Sequence, residues 1–388
     1  MKIVVCAEVS WRYVRTRKQQ ILSRFPADWP ILFLQPWTRG RRNAWWPQRE
    51  GRVIIATVPV MKNPPHRLWH ILLARIFVRA FLNVLLFVWV WWLRKRTGFA
   101  GADVGLYVSN IYFGSVLPHL QRRFAVYDCN DNHLAFPGTP RWARGYLARV
   151  VREVDAVVVS QPLLREEIDP LEPRLVHEIG NGVDYALFDT AWRRPSRPPE
   201  ICALAAPRIG YAGALAEWID FELLAQVASA RPEASLVLVG PRIGEHVDPE
   251  ALARAYANVH WLHAKPHAQL PHYVAEMDVC LIPFRRTPLT RGVNPNKLYE
   301  YLALGKPVVS TDFSPWLRDF EPDVRIARDA PTFVSHVEAA LQTPGEVEPR
   351  RRLAAEHSWD VYAQRMVRLF EALGTARGQQ ARAARVSG

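Results

Sequence analysis

The sequence predicts an α/β protein with two doubly wound domains, each a parallel sheet covered by helices on both faces. Short, continuous apolar runs alternate with helical stretches along most of the chain, a pattern typical of strands buried on both faces of a sheet. The 388 residues exceed the roughly 250–300 at which a single hydrophobic core usually stops growing. The alternation lapses at residues 191–207, where prolines are concentrated, and we interpret this stretch as a linker.

The first series of strands defines a predicted N-terminal domain over residues 1–190. Helices are expected between the strands, including helices over residues 13–25 and 142–152. The predicted strands of this domain cover residues 2–6, 31–35, 53–60, 104–110, 124–129, 156–160 and 175–180.

The second series defines a predicted C-terminal domain over residues 208–357. A final helix is expected over residues 358–375 and a flexible polar tail over residues 376–388. Ligands of doubly wound sheets bind at the carboxyl ends of the strands, so two such domains facing across a cleft can each hold one substrate. The predicted strands cover residues 208–213, 235–240, 259–263, 279–284 and 307–311, and the helices between them cover residues 218–230, 268–277 and 295–304.

The formal net charge of +13 is concentrated in the first quarter of the sequence. Residues 1–100 hold 18 lysines and arginines against three acidic residues, whereas the other residues are close to neutral. Nine of the 15 tryptophans also lie in this quarter. Basic residues mixed with tryptophan suit an anionic partner, either a membrane surface or a nucleic acid. The sequence has no helix-turn-helix, zinc or RNA-binding motif, so we expect no nucleic acid partner.

The segment 70–96, HILLARIFVRAFLNVLLFVWVWWLRKR, is predicted to form a helix that lies in or against the inner leaflet of the membrane. Its longest uncharged run, residues 80–93, has 14 residues, and a transmembrane span needs roughly 20. A buried helix with a polar end is the alternative that stays open. Tryptophans beside cations are typical of the membrane interface, and the residues predicted to contact it are Trp89, Trp91, Trp92, Arg94, Lys95 and Arg96.

The four cysteines, Cys6, Cys129, Cys202 and Cys280, are far apart in the sequence, and no CxxC pair is present to hold zinc. We therefore expect reduced cysteines and no metal site. The stretch after Ser10 is polar, so we expect no secretory signal peptide and predict a cytoplasmic location.

The strongest local signal is a short predicted helix that begins within the sequence NPNK. Asn294 is a good N-cap, Pro295 suits the first helical position, and Gly305 is placed to end the helix. Lys297 adds its charge to the free N–H groups and the positive dipole end, which predicts an anion site suited to a diphosphate. Glu300 follows three residues later on roughly the same face, where its carboxylate can accept hydrogen bonds from ribose hydroxyls. An ordinary capped helix with a solvent-facing Lys–Glu pair is the alternative.

The segment 294–311, NPNKLYEYLALGKPVVST, resembles the donor-binding helix of GT-B glycosyltransferases of the retaining family 4, also called glycosyl transferases group 1. The resemblance covers nearly the whole chain and indicates a subgroup of cell-envelope sugar transferases like those that build teichuronic acid and exopolysaccharides. Other segments that resemble the family are 179–189 (IGNGVDYALFD), 209–224, 236–241, 259–284 and 357–366 in the second half, and 9–25 and 126–136 in the first half.

This resemblance implies the GT-B fold, with two Rossmann-like domains and a helix over residues 358–375 that crosses back to the N-terminal domain. It implies transfer of a sugar from a nucleoside-diphosphate sugar to a hydroxyl of a lipid-linked or polysaccharide acceptor, with retention of configuration. The nucleotide sugar is a substrate, and no cofactor or metal is expected. A lipid-linked acceptor agrees with the predicted peripheral location at the inner face of the plasma membrane.

In the family, the glutamate of the donor-binding helix binds the donor ribose, and that position is Glu300. Two parts of the family pattern are missing here. Gly292 stands where members often have a second glutamate, and no Arg–Lys pair follows the glycine turn that begins at Gly213. Lys297 is our candidate replacement for that pair, and backbone N–H groups near residues 293–296 are expected to hold the sugar. The candidate donor-binding residues are Gly213, Arg291, Val293, Asn294, Asn296, Lys297 and Glu300.

The N-terminal domain is expected to present the acceptor. The stretch YDCNDNH ends a predicted strand, and a carboxylate there can orient or deprotonate an acceptor hydroxyl. The candidate catalytic residues are Asp128, Asp131 and His133, with the alternative that an aspartate only caps the next turn. The candidate acceptor-binding residues, in the loop after the first strand, are Glu8, Ser10 and Trp11.

Two other functions stay open on the sequence alone. A nucleotide-sugar epimerase of the same fold would need no membrane-binding segment. A degenerate transferase would bind a nucleotide or a partner as an assembly module, and the missing second glutamate is the feature that favours it. A nicotinamide-dependent oxidoreductase is not expected, because no GxGxxG follows a strand.

Overall fold

The chain forms two compact units in the computed structural model. One unit contains Met1–Ile179 and Ala363–Gly388, and the other contains Gly180–Tyr362. The division therefore falls ahead of the predicted linker at 191–207. That stretch is partly helical, because Ala191 and Ile201 are buried and give it a packed face. The structure describes residues 1–12, 15–38, 43–60, 75–136, 138–244 and 247–386.

One sheet of eight strands forms the centre of the first unit. The strands are β1 Lys2–Cys6, β2 Ile31–Pro36, β3 Gln48–Glu50, β4 Val53–Val58, β5 Val104–Val108, β6 Phe124–Cys129, β7 Ala156–Val159 and β8 Val176–Glu178. Their order is β3-β4-β2-β1-β5-β6-β7-β8, and all neighbours are parallel except β3 and β4. The seven strands predicted from apolar runs are confirmed. The edge strand β3 was not predicted, because its sequence QRE has no apolar residue and it forms through the tight turn at Gly51.

The helices of the first unit pack around this sheet. Helix α1 is shorter than the predicted 13–25, and its polar residues 17–20 are all buried. The helices are α1 Arg17–Ser23, α2 Ile76–Thr97, α3 Ala143–Glu153 and α4 Arg165–Ile168, with 3₁₀ turns at Ile111–Ser115, Leu117–His119, Pro162–Leu164 and Asp169–Leu171.

The second unit contains a six-stranded sheet in which every pair of neighbours is parallel. Its strands are β9 Arg208–Ala212, β10 Ser235–Val239, β11 Val259–Trp261, β12 Val279–Ile282, β13 Val308–Thr311 and β14 Val324–Ala327. The order β11-β10-β9-β12-β13-β14 reverses direction at β9, so the loops after β9, β10 and β12 meet where doubly wound sheets bind ligands. The predicted strands are confirmed, and β14 is an additional one.

Helices cover this second sheet as the alternating pattern predicted. Of them, only α7, α9 and α11 were predicted individually, over residues 218–230, 268–277 and 295–304. The helices are α5 Tyr185–Arg193, α6 Pro199–Cys202, α7 Phe221–Ala230, α8 Pro249–Ala255, α9 Leu270–Ala275, α10 Pro288–Arg291, α11 Asn296–Ala303, α12 Ala330–Gln342 and α13 Val347–Glu356, with a 3₁₀ segment at Pro315–Phe320.

The last helix, α14 Trp359–Val386, is longer than the predicted 358–375. Residues 376–386 of the predicted flexible tail are therefore helical. The ring of Phe370 lies edge-on against three aromatic residues of the first unit, and Arg377 pairs with the carboxylate of Asp155. The contact made by Arg377 lies within the predicted flexible tail, which explains why the helix continues past residue 375.

Candidate active site

Two glycines bring the carboxyl ends of β9 and β10 together. The N–H of Gly213 donates to the carbonyl of Val239 at 2.8 Å. The φ angles of Gly213 and Gly240 are 149° and 152°, and a Cβ on Gly240 would lie 1.8 Å from the carbonyl oxygen of Gly213. Only glycine can make this contact, so the predicted glycine turn is required by the backbone itself.

Lys297 of α11 lies directly beside this turn. A Cβ on Gly213 would lie 2.9 Å from the Lys297 side-chain carbon Cε. The Lys297 ammonium is 5.3 Å from the ring centre of Tyr211 and 4.8 Å from that of Phe284. Burial among these groups lowers the pKa of Lys297, and the negative charge of Glu300 partly opposes this shift. The structure thus brings together the predicted pair of Gly213 and Lys297.

Glu300 lies one turn further along α11 and shares the same desolvated environment. Burial raises the pKa of Glu300, and the charge of Lys297 partly opposes that shift. The two side chains interact through their charges, and their described contacts include no direct ion pair or hydrogen bond. Both side chains are half-buried, so the pair is partly shielded from water and does not face solvent freely.

The amino end of α11 has no side-chain cap among the described residues. The N-cap position is Pro295 and the helix begins at Asn296, so the prediction that Asn294 caps it is wrong. Asn294 is buried, and its carbonyl accepts a hydrogen bond from the Asn181 amide at 2.6 Å. Asn296 is half-buried in the first turn. The first-turn N–H groups are thus not occupied by a capping side chain, which is the condition for anion binding. The expected stop at Gly305 is confirmed, since its φ of 67° ends the helix.

The residues just before α11 fit the donor prediction less well. Arg291 is exposed at the end of α10, and its carbonyl accepts from the Ser314 hydroxyl at 2.7 Å. The N–H of Val293 donates to the Thr290 carbonyl at 3.0 Å, so the prediction that it holds the sugar is wrong. Gly292 is buried and supplies no carboxylate.

The loop after β11 closes on the same glycine turn. The Gly240 N–H donates to the His263 carbonyl at 2.8 Å, and the Trp261 indole donates to the Gly240 carbonyl at 2.9 Å. His263 has a φ of 56°, which is uncommon for a residue other than glycine. The rings of Trp261 and His263 lie 4.0 Å apart. These contacts fix the loop against the glycine turn.

In the first unit, Glu8 belongs to a buried polar cluster at the ends of β1, β5 and β6. Its carboxylate accepts from the Lys18 ammonium and from the Ser109 hydroxyl. Lys18 also donates to the side-chain carbonyl of Asn130 at 2.9 Å. Glu8 borders a small pocket that is also lined by Ser109, Asn110, Ile111, Tyr112, His133, Phe136 and Thr139. We call this pocket the Glu8 pocket.

Asp128 does not reach this pocket. It is fully buried, and both of its carboxylate oxygens accept from the Arg17 guanidinium, at 3.0 and 2.9 Å. The Tyr107 hydroxyl also donates to it, and Arg17 donates further to the Ile179 carbonyl at 2.8 Å. Burial, followed by the Asp128 charge, raises the pKa of Tyr107 well above its usual value. The prediction of a catalytic role for Asp128 is wrong, because a fully paired carboxylate away from solvent cannot orient a substrate.

Asp131 and His133 remain the candidates at this strand end. Both are half-buried, and His133 lines the Glu8 pocket. The Asn130 amide donates to the Asp131 carboxylate. The His133 ring lies near the rings of Tyr127 and Phe136, with centroid distances of 6.3 and 6.4 Å.

Ser10 and Trp11 lie against the start of α1. The Gln19 amide donates to the carbonyls of both residues, at 3.1 and 3.3 Å. The Ser10 hydroxyl is buried and has no hydrogen-bond partner among the described residues. The Trp11 ring packs edge-on against Phe33 with a centroid distance of 5.1 Å. These contacts position the loop.

Helix α2 has one packed face and one exposed face. Leu86, Val90 and Leu93 belong to the core of the first unit. On the other face Phe77 is 85% exposed and Phe81 is 62% exposed. By length and composition alone the 22-residue helix could cross a membrane. Of its most apolar stretch, 17% is buried within the protein. The segment before it, residues 70–74, lies outside the described part of the chain.

The residues predicted to contact the membrane divide between these two faces. Trp89 and Trp92 are half-buried: the Trp89 indole donates to the Thr57 carbonyl at 3.0 Å, and the Trp92 ring stacks on Trp89, so for these two residues membrane contact stays a prediction. The prediction is wrong for Arg94, which is buried and donates to the Phe99 carbonyl at 2.8 Å. The other three are exposed, and the Lys95 ammonium lies 4.1 Å from the Trp91 ring centre. Those exposed residues are Trp91, Lys95 and Arg96.

Sequence reasoning missed the basic partners of the buried acids. Arg17 and Lys18 are adjacent residues of α1, and both are almost fully buried. Polar residues on a short helix usually face solvent, so nothing in their sequence spacing indicated burial. The available signal was indirect. Glu8 closely follows the apolar strand β1, and Asp128 lies near the end of β6, so burial of both acids and therefore a basic partner for each could be expected.

Comparison with known proteins finds a family match for part of the chain. Residues 206–343 match the family described as glycosyl transferases group 1. A relative from Bacillus subtilis (strain 168), TuaH, named for teichuronic acid biosynthesis as a glycosyltransferase, is 27% identical over 254 residues. That alignment covers 61% of this chain and 64% of the relative, so it spans somewhat less than two thirds of the relative's length.

Solved structures agree over a larger share of the chain. Sucrose-phosphate synthase from Thermosynechococcus elongatus has a TM-score of 0.71 at 17% identity, covering 97% of this chain and 100% of that one. HepE from Anabaena, solved in complex with UDP, has a TM-score of 0.66 at 13% identity, covering 96% and 100%. At such low identity these likenesses show the fold alone. Together with the two sheet-centred units, they show that the chain has the GT-B fold, and its residues 206–343 match the glycosyl transferases group 1 model.

Proposed function

We propose that this protein transfers a sugar from a nucleoside-diphosphate sugar to a hydroxyl of a lipid-linked or polysaccharide acceptor in cell-envelope polysaccharide synthesis. The observation that carries the proposal is the environment of Lys297. Its half-buried ammonium lies beside Gly213, at the uncapped end of α11, and its described contacts include no direct ion pair with Glu300. A partly desolvated cation beside the N–H groups of a helix start is stabilised by an anion, and the diphosphate of a nucleotide sugar supplies one.

The same groups account for the chemistry. Breaking the bond between the sugar and the diphosphate places negative charge on the leaving phosphate. Lys297 and the first-turn N–H groups of α11 stabilise that charge as it develops, which is the largest single contribution in many enzymes. In this proposal they take the place of a metal ion, and configuration is retained as in the resembling family. Glu300 accepts hydrogen bonds from the ribose hydroxyls.

In this proposal the first unit holds the acceptor. The Glu8 pocket contains polar groups fixed by a buried cluster, and Asp131 and His133 lie at the same strand end. A group held by packing and hydrogen bonds can orient an acceptor hydroxyl at little further entropic cost. His133 and Asp131 are our candidates for that role. Ser10 supplies a buried hydroxyl nearby in sequence.

The exposed face of α2 supports a peripheral location at the inner face of the plasma membrane. Phe77, Phe81 and Val88 expose apolar side chains that a soluble surface would not favour in such density. Lys95 and Arg96 are exposed at the end of the same helix, where they can meet anionic headgroups. A protein placed this way in the cytoplasm can reach an acceptor that is anchored in the bilayer.

The proposal is tested by measuring release of nucleoside diphosphate and sugar transfer with a panel of UDP-, GDP- and ADP-sugars. Glu300→Gln should lower transfer with the preferred donor by at least tenfold, because the ribose is no longer positioned. Glu222→Gln, an exposed carboxylate of the same unit, is the matched control and should be unchanged. Chelation of metals with EDTA should leave the rate unaltered. Nucleotide binding without transfer from any donor would instead favour the degenerate module.

A further inference from the structure

Trp218 lies in the loop that follows the glycine turn of the candidate active site. Both ends of this loop are fixed by neighbouring loops of the same sheet. The Leu215 N–H donates to the Pro241 carbonyl, in the loop after β10, at 2.9 Å. The Arg285 N–H, in the loop after β12, donates to the Trp218 carbonyl at 2.8 Å. The backbone of Trp218 is therefore held at the edge of the sheet where ligands of doubly wound domains bind.

The indole of Trp218 is oriented by a buried tyrosine. Tyr211 is fully buried, and its hydroxyl donates to the Ala214 carbonyl at 2.8 Å. Burial raises the pKa of Tyr211, and a hydrogen bond from the Trp218 side chain to its hydroxyl partly opposes that shift. The ring of the same tyrosine has its centre 5.3 Å from the Lys297 ammonium. One tyrosine thus contacts both the indole and the group proposed to bind the diphosphate.

The Trp218 ring has no aromatic or cationic side chain packed against it among the described residues, and it is only half-buried. Three other tryptophans of the same unit do have such a partner. They are Trp192 with Arg351, Trp261 with His263 and Trp316 with Phe320. The face of an aromatic ring is electron-rich, so it attracts the C–H groups on one side of a sugar ring. Part of the Trp218 ring is therefore accessible to a ligand of this kind.

The direction of α11 indicates which part of the donor Trp218 meets. In the proposed function Lys297, in the first turn, holds the diphosphate, and Glu300, one turn further along, holds the ribose. The nucleoside therefore lies along the helix, and the sugar lies on the other side of the diphosphate, toward the amino end. The chain reaches that end from the loop after β12, and Arg285 of this loop bonds the Trp218 carbonyl. Trp218 is thus on the sugar side of the diphosphate site.

We propose that Trp218 recognises the donor sugar by packing the face of its indole against the C–H groups of the pyranose ring. This inference rests on the proposed function for the donor class and adds a specificity-determining residue to it. The indole supplies apolar contact to a ligand whose diphosphate is bound through charge. It gives the sugar a protein contact in a site where Gly292 supplies no carboxylate.

The test separates binding of the sugar from binding of the nucleotide. Calorimetric titration of the full chain with UDP, GDP and ADP selects the nucleotide, and the matching UDP-, GDP- or ADP-glucose is then compared with it. Trp218→Leu should weaken binding of the glucose conjugate by roughly three- to tenfold and change binding of the nucleotide alone by less than about twofold. Trp218→Phe keeps an aromatic face and should retain most of the affinity for the conjugate.

Two further variants separate the ring from its hydrogen bond and from general effects. Trp218→Gln has no ring but keeps an N–H donor for the Tyr211 hydroxyl, and it should lose as much affinity for the conjugate as Trp218→Leu. Trp192→Leu makes the same change at an exposed tryptophan of the same unit, whose ring centre lies 3.8 Å from the Arg351 guanidinium carbon. It should change neither affinity. Thermal unfolding checks that each variant is folded.

Several results would overturn the inference. Equal losses for the nucleotide and for its glucose conjugate would place the indole on the nucleoside. Unchanged binding of the conjugate by the variants without a ring would remove Trp218 from the site. Full affinity in Trp218→Gln would mean that the residue acts only through Tyr211. Any of these results beside normal nucleotide binding leaves the proposed function standing, whereas a native protein that binds none of the three nucleotides contradicts both.

Discussion

The two units of this protein bury charge in opposite ways. In the first unit Asp128 is bound by Arg17 and Tyr107, and Glu8 by Lys18 and Ser109. In the second unit Lys297 and Glu300 are half-buried, and their described contacts include no direct bond between them. Burial shifts the pKa of each toward its neutral form.

This difference separates a structural cluster from a binding site. A buried ion pair with complete hydrogen bonding compensates its own desolvation, and its loss exposes the remaining partner to that cost. A partly desolvated charge without a direct partner is stabilised when a ligand of opposite charge binds beside it. The comparison predicts that the first cluster controls stability and that the second controls ligand affinity.

The largest effect is expected from breaking the first cluster. Asp128→Asn should lower the free energy of unfolding by about 3–5 kcal/mol, because the Arg17 guanidinium is left buried without its carboxylate. Urea denaturation followed by circular dichroism measures this. UDP affinity at a temperature where the variant is folded should not change.

The matched control for that substitution is an aspartate paired at the surface. Asp169 pairs with Arg165, and their side chains are 47% and 50% exposed. Asp169→Asn should change the free energy of unfolding by less than about 0.5 kcal/mol, since exposed ion pairs contribute little. Equal losses from the two substitutions would contradict a structural role for the Arg17–Asp128 pair.

A smaller effect is expected from the pH dependence of ligand binding by Lys297 and Glu300. Diphosphate binding requires the charged form of Lys297, and ribose binding favours the charged form of Glu300. Affinity for UDP-glucose should therefore rise with pH through the raised pKa of Glu300 and fall, by up to about tenfold per pH unit, above the lowered pKa of Lys297. Glu300→Gln should remove the acid limb of the profile, and Lys297→Met the alkaline limb. A profile that is flat in the native protein would refute the assignment.

The smallest effect concerns the two cations at the end of α2. Lys95 is exposed and Arg94 is buried, although they are adjacent. Lys95→Gln should weaken partition to phosphatidylglycerol vesicles by about 1 kcal/mol, roughly fivefold, and the loss should shrink at high salt. Arg94→Gln should lower stability and leave partition of the folded protein unchanged. Vesicle sedimentation that shows the reverse ranking would exclude this face as the membrane contact.

Most of the fold could be predicted from sequence because the strands are continuous apolar runs with glycine and proline boundaries. The edge strand β3 could not, since its residues 48–50 are charged or polar and its pairing depends on a turn. The linker at 191–207 was overestimated for a related reason. Its prolines suggested an open chain, but buried Ala191 and Ile201 give it a packed face.

The two sites differed in how far the sequence could predict them. Gly213 directly follows β9, and Lys297 lies in the first turn of the helix between β12 and β13, so their positions at the ends of neighbouring strands bring them together. Which of the three tryptophans near the end of α2 are exposed depends on how the helix packs, and Trp89 and Trp92 turn inward. Asp128 was misjudged because its partner Arg17 is 111 residues away in sequence.

The central claim is that the Lys297 ammonium binds the diphosphate, and calorimetric titration with UDP tests it most directly. Lys297→Met should weaken UDP binding by roughly 10- to 150-fold, about 1.5–3 kcal/mol, while the free energy of unfolding does not fall. Lys306→Met is the matched control, because the Lys306 ammonium bonds the Ala275 carbonyl at 2.6 Å and is assigned no role in binding. UDP affinity that is the same in Lys297→Met and in the native protein would contradict the claim.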